Sequence, residues 1–107
     1  MNKIEQAVIY NKILGSLACA GMGDALGAAT ELYSIDEIKA QWGGFLNAFV
    51  SPPTDTFAGS LNGIAGLITD DSSQMYVFSE GLVEAGFDNF TNNDWLACLL
   101  RWADMQP

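Results

Sequence analysis

Between Gly15 and Ala28, nine of fourteen positions are Gly, Ser or Ala. This run sits in a helical pattern that extends from Lys3 to about Gly27. Ile4, Val8, Leu14 and Leu17 recur at roughly helical spacing, and Ile9 and Ile13 widen the stripe. Glycine inside a helix costs about 0.5–1 kcal/mol relative to alanine. So many small residues in one apolar helix predict the very close approach of another backbone. Their spacing also suits a membrane helix pair. Asp24 interrupts the run, however, and no segment holds the roughly 18 continuous apolar residues that a span needs.

Four further segments follow. "SIDEIKAQWGG" is a short helix with a capping box, Ser34 with Glu37, and a glycine stop at Gly43 and Gly44. Phe45 to Leu67 carries loop signals, including Pro52, Pro53 and several glycines, with Phe57, Leu61 and Ile64 as apolar anchors. A loop of that length is often functional. A helix from about Asp71 to Ala85 turns Met75, Phe78, Leu82 and Val83 inward and stops at Gly86. Thr91 or Asn92 caps a last helix, about Asn93 to Ala103, whose Trp95, Leu99 and Trp102 form one stripe, widened by Leu96 and Leu100. No strand pattern stands out. The expected class is all-α, in one ordinary domain at most.

The charge balance narrows the function. Thirteen acids against four basic residues leave a formal charge of −9. That argues against general nucleic-acid binding, which draws on Lys and Arg. A phosphate-bearing small ligand stays compatible if a divalent cation locally inverts the field. There is no histidine, so Ser-His-Asp and Cys-His catalysis and the usual zinc ligand sets are excluded. Cys19 and Cys98 lie in apolar helical contexts and read as buried small hydrophobes in a reducing compartment. "MNKIEQAVIY" lacks the features of a signal peptide, and a soluble, cytoplasmic protein is expected.

Asp70 and Asp71 are adjacent, at the mouth of a helix, and like charges so placed repel. Capping explains one of them, since a carboxylate accepts from free N–H groups at a helix start. A divalent cation explains both. Mg²⁺, Mn²⁺ and Ca²⁺ favour hard oxygen donors, and Thr69-Asp70-Asp71 offers a hydroxyl and two carboxylates. Bound there, the ion turns repulsion into attraction. Asp24 and Glu31 are two more candidate acids. They lie seven residues apart, about two helical turns, and so near one face if the helix persists. Their ordinary readings are a hydrogen-bonding carboxylate and a solvated helix end.

Taken together, "GSLACAGMGDALGAATE" and "ITDDSSQM" resemble the N-terminal helix and the metal-binding motif of the ADP-ribosylglycohydrolase family. The resemblance runs from Ile13 to about Trp102. It implies a largely orthogonal helical bundle with a two-metal centre of Mg²⁺ or Mn²⁺. It implies that Thr69, Asp70 and Asp71 are metal ligands and that Glu31 is the active-site carboxylate, as acid/base or gate. It implies that Asp24 supports the helix architecture. The loop from Ser51 to Gly66 precedes the ligands and is placed to line a substrate cleft, with Gly66 and Ser72 as substrate-binding positions. Ser72 stands where the family more often has threonine, and keeps the hydroxyl.

Members of that family are longer and carry a second Asp/Thr ligand group near the C-terminus, which this sequence does not match. Residues 1–107 are therefore expected to be the N-terminal portion of a single glycohydrolase-like domain, apparently truncated, with half a metal site. A complementary C-terminal chain or self-association would supply the remainder. The leading expectation is metal-dependent hydrolysis of the bond linking ADP-ribose to a modified protein or other acceptor. Against it stand a non-catalytic ADP-ribose- or protein-binding module of immunity or regulatory type, and a plain helical interaction domain in which the aspartates only cap.

Overall fold

The structure is a computed structural model that describes residues 1–60 and 63–106, the side chains of Phe57 and Ser60 excepted. Its α-helices are α1 (Lys3–Gly27), α2 (Ile35–Trp42), α3 (Phe57–Ser60), α4 (Asp70–Ala85) and α5 (Asn92–Asp104), with a 3₁₀ turn at Phe87–Asn89. No strand occurs among the described residues, so the protein is all-α. Among the described residues no helix is long and apolar enough to cross a membrane. The chain divides into two compact units, Met1–Thr69 and Asp70–Pro107.

Reciprocal caps start three of the helices. Asn2 Oδ1 accepts from the N–H groups of Ile4 and Glu5, both at 3.0 Å, while Glu5 accepts from Asn2 N–H at 2.9 Å. This box is legible in the Asn-x-x-Glu spacing, yet the helical periodicity alone does not reveal it. Ser34 with Glu37, and Thr91 with Asp94, repeat the arrangement on α2 and α5. Gly43 closes α2 in the left-handed conformation, at φ 76°, which a residue with a Cβ adopts only with strain.

In the first unit, burial gathers at the end of α1 and just beyond it. Gly21, Ala25, Ala28 and Ala29 are buried. The rest of the small-residue run departs from expectation: a Cβ built on Gly15, Gly23 or Gly27 meets nothing within 4 Å. The apolar stripe of α1 is likewise uncovered at Ile4, Val8, Ile9, Ile13 and Leu14. Cys19, expected inside, is exposed. Periodicity marks an apolar face but does not say that anything covers it.

The long loop is tied down locally. Thr56 Oγ1 donates to the Pro53 carbonyl at 2.6 Å and accepts from Gly59 N–H at 3.1 Å, nucleating the single turn of α3. Pro52 and Thr56 are buried. Of the expected anchors, Ile64 is exposed; Leu61 and the Phe57 side chain lie outside what is described.

The second unit is the packing of α4 against α5. Phe78 stacks on Trp95 at 3.8 Å between ring centroids and 10° between planes. Val77 and Cys98 are buried, whereas Val83, expected inward, is 84% exposed. The inward face of α4 runs through Val77 and Gly81 instead. A Cβ on Gly81 would overlap Cys98 Sγ, so the helices approach closely where one side chain is missing. Arg101 bridges Glu80 and Glu84 at the surface. Leu96 and Leu100 remain exposed.

Candidate metal centre

Thr69 is the last residue before α4 and is half-buried. Asp24 holds it by two bonds. Thr69 N–H donates to Asp24 Oδ2 at 2.8 Å, and Thr69 Oγ1 donates to Asp24 Oδ1 at 2.6 Å, across 45 residues of sequence. An ionised carboxylate only accepts, so the proton in the second bond belongs to the threonine hydroxyl. Spending that proton on Asp24 orients the oxygen and leaves its lone-pair side directed away from the carboxylate.

Asp70 and Asp71 open α4, the first half-buried and the second exposed. Both carboxylates therefore stand in the first turn, where the helix dipole favours negative charge. Ser72 behind them is only 3% exposed, so it offers almost no surface to a ligand. Ser73 is committed elsewhere: its hydroxyl donates to the Asp70 carbonyl at 3.2 Å and accepts from the Trp102 indole N–H at 2.9 Å.

Glu31 does not continue the α1 face. The helix ends at Gly27, and residues 28–32 form a turn in which Glu31 is exposed. The seven-residue helical relationship between Asp24 and Glu31 is thereby removed. Leu32, next in the chain, has φ 66°, a left-handed conformation uncommon for a residue with a Cβ. Gly66 is exposed, at φ 82°, and its backbone lies beside the Phe49 ring.

The donor set tests the fit of a cation. Two carboxylates and one hydroxyl are hard oxygen donors, the chemistry that Mg²⁺ and Mn²⁺ select. They are three donors where an octahedral ion takes about six. Among the described residues no group of three or more acidic, histidine or cysteine side chains converges on one point, so the remaining positions would fall to other oxygens and water.

A family model described as ADP-ribosylglycohydrolase matches residues 5–107. The chain belongs to the ADP-ribosylglycohydrolase family. No curated protein and no solved structure gives a significant match. In this member of the family the bond between Asp24 and Thr69 is the feature that sequence inspection misses. Spacing rules reach three or four residues along a helix, and nothing local joins residues 45 positions apart.

Proposed function

We propose that this chain contributes Thr69, Asp70 and Asp71 to a Mg²⁺ or Mn²⁺ site, binuclear when complete, and that the site serves hydrolysis of the glycosidic bond between ADP-ribose and a modified protein or other acceptor. The observation that carries this reading is the oriented Thr69 hydroxyl, immediately before two carboxylates at the start of α4.

As the glycosidic bond lengthens, positive charge grows on the ribose ring. A metal pair held in part by Thr69, Asp70 and Asp71 would orient ribose hydroxyls and polarise a water. Glu31, exposed on its turn, accepts the proton of the attacking water as general base. Gly66, without a side chain, lets a substrate approach the backbone of the loop. Ser72, being buried, supports the helix mouth from beneath and has almost no surface to offer a substrate. A complementary chain or a second copy supplies the remaining ligands, and the site works in the cytoplasm.

The test is a titration of Mg²⁺ and Mn²⁺ into the wild-type chain and an Asp70→Ala, Asp71→Ala variant, followed by an assay for free ADP-ribose released from an ADP-ribosylated protein, alone and with a complementary C-terminal half. Cation binding that the double variant loses, with metal-dependent release, supports the reading. Binding of ADP-ribose without release in any combination makes the chain a non-catalytic module. Unchanged behaviour of the double variant leaves capping as the role of both aspartates.

A further inference from the structure

We propose that residues 4–13 of α1 pair with the same residues of a second copy of this chain, antiparallel, about a two-fold axis between Val8 and Ile9. The inference is independent of the metal reading. It assigns the uncovered face of α1 to self-association.

Two observations carry it. The first is that this part of α1 has no cover within its own chain. All of residues 3–16 are exposed, including Ile4 at 77%, Ile13 at 56%, Val8 at 48% and Ile9 at 45%. A helix with apolar residues on every side is ordinarily buried, and a helical stretch of this length standing alone is marginal in water. Burial of its aliphatic side chains against a partner supplies the driving force.

The second observation is the order of the residues. Ile4-Glu5-Gln6-Ala7-Val8 is followed by Ile9-Tyr10-Asn11-Lys12-Ile13. Read outward from the Val8–Ile9 bond, the two halves match in chemical type, except that acid stands where the other half has base. Valine corresponds to isoleucine, glutamine to asparagine, glutamate to lysine and isoleucine to isoleucine; Ala7 and Tyr10 alone break the pattern. A two-fold interface must be self-complementary: where one residue meets a second, the second meets the first. This segment meets that condition. In an antiparallel pair centred on the Val8–Ile9 bond, Glu5 of each copy faces Lys12 of the other, Val8 faces Ile9, and Ile4 faces Ile13.

Helix geometry puts these residues on one side. Glu5 and Lys12 lie only about 20° apart around the axis, with Ile4 and Val8 on one flank and Ile9 and Ile13 on the other. Aliphatic flanks thus enclose two ion pairs. Among the described residues Lys12 makes no ion pair within its own chain, and Glu5 uses Oε2 on the Asn2 N–H, which leaves Oε1 to face the lysine. A parallel pair would set Glu5 against Glu5 and Lys12 against Lys12. The charges therefore fix direction and register, while the aliphatic contacts provide the affinity, since exposed ion pairs alone add little.

The experiment is sedimentation equilibrium of the full chain, with a reductant present so that the exposed Cys19 forms no cross-link. Four samples are compared: wild type, Lys12→Glu, Glu5→Lys, and an equal mixture of the two variants, each shown by circular dichroism to be helical. The wild type is expected to dimerise. Each variant alone gathers four like charges across the axis and should dissociate at least about tenfold more readily. The mixture should recover the dimer, because one copy then offers only acids and the other only bases. A wild type that stays monomeric at about 0.1 mM, well above the micromolar constants of ordinary interfaces, overturns the proposal. Dimers that neither variant weakens lie on another face and overturn it equally. If Glu5→Lys loses its helix with the Asn2 cap, Lys12→Gln takes its place: dissociation should rise from wild type through Lys12→Gln to Lys12→Glu, and equal values in all three overturn the pairing.

Discussion

The Trp102 indole N–H donates to Ser73 Oγ at 2.9 Å, tying the last turn of α5 to the first turn of α4. The same hydroxyl donates to the Asp70 carbonyl. A tryptophan near the end of the chain therefore steadies the turn that carries the paired aspartates. Trp102→Phe keeps most of the ring and removes the donor. It should lower stability by about 1 kcal/mol, the usual worth of one such bond, read as a shift in the urea midpoint with unchanged slope.

Close contact between α4 and α5 depends on Gly81. Gly81→Ala places a methyl group against Cys98 Sγ, and overpacking of this kind costs about 1–3 kcal/mol. Cys98→Ala removes the obstructing sulfur, so the double variant should be more stable than the sum of the two single effects predicts. Denaturant melts of the four chains measure that coupling.

Acid should fray two helices through their caps. The Ser34 hydroxyl, and then its main-chain N–H, hold Glu37 below its ordinary value. The Thr91 hydroxyl, and then its N–H, do the same for Asp94. In each case the folded state favours the ionised form more than the unfolded state does. The stabilisation is complete above the ordinary carboxylate range and is lost as pH falls through the lowered values. Far-UV circular dichroism against pH should show helix loss on that acid limb. Asp94→Ala, which has no titrating group at that position, should flatten the part due to α5.

Asp70 and Asp71 distinguish a cap from a cation site by their response to metal. In EDTA, Asp70→Ala with Asp71→Ala should change stability by only about 1 kcal/mol, as dipole and capping contributions are lost and mutual repulsion is relieved. With Mg²⁺ or Mn²⁺ at one hundred times its dissociation constant, the wild type should gain about 2.7 kcal/mol and the variant nothing. Thermal melts with and without metal measure the difference.

Several features were legible because their causes are local. The extent of α1, the Ser34/Glu37 box, the Gly43 stop and the Thr91 cap follow from contacts within four residues. The start of α4 at Asp70 puts both aspartates in the first turn, as their place at the mouth of a helix expected from about Asp71 implied. Cys19 and Val83 were misread for a common reason. Both are apolar residues in helical segments, yet what decides burial is whether another element covers that side of the helix. At Val83 no described element does so. The close-approach reading of the glycines erred similarly at Gly15, Gly23 and Gly27. It was the site of contact that moved, to Gly81 on α4.

Sequence alone determined that this chain is helical, where α1, α2, α4 and α5 begin to within about a residue, and that two carboxylates follow a threonine at one of those beginnings. Hydrogen bonds and side-chain periods that act over one turn suffice for all of that. Tertiary structure decided that Asp24 grips Thr69, that Trp102 reaches Ser73, and that α1 leaves its apolar stripe uncovered. Those outcomes depend on how intervening loops bring distant residues together, and no short-range preference encodes that closure.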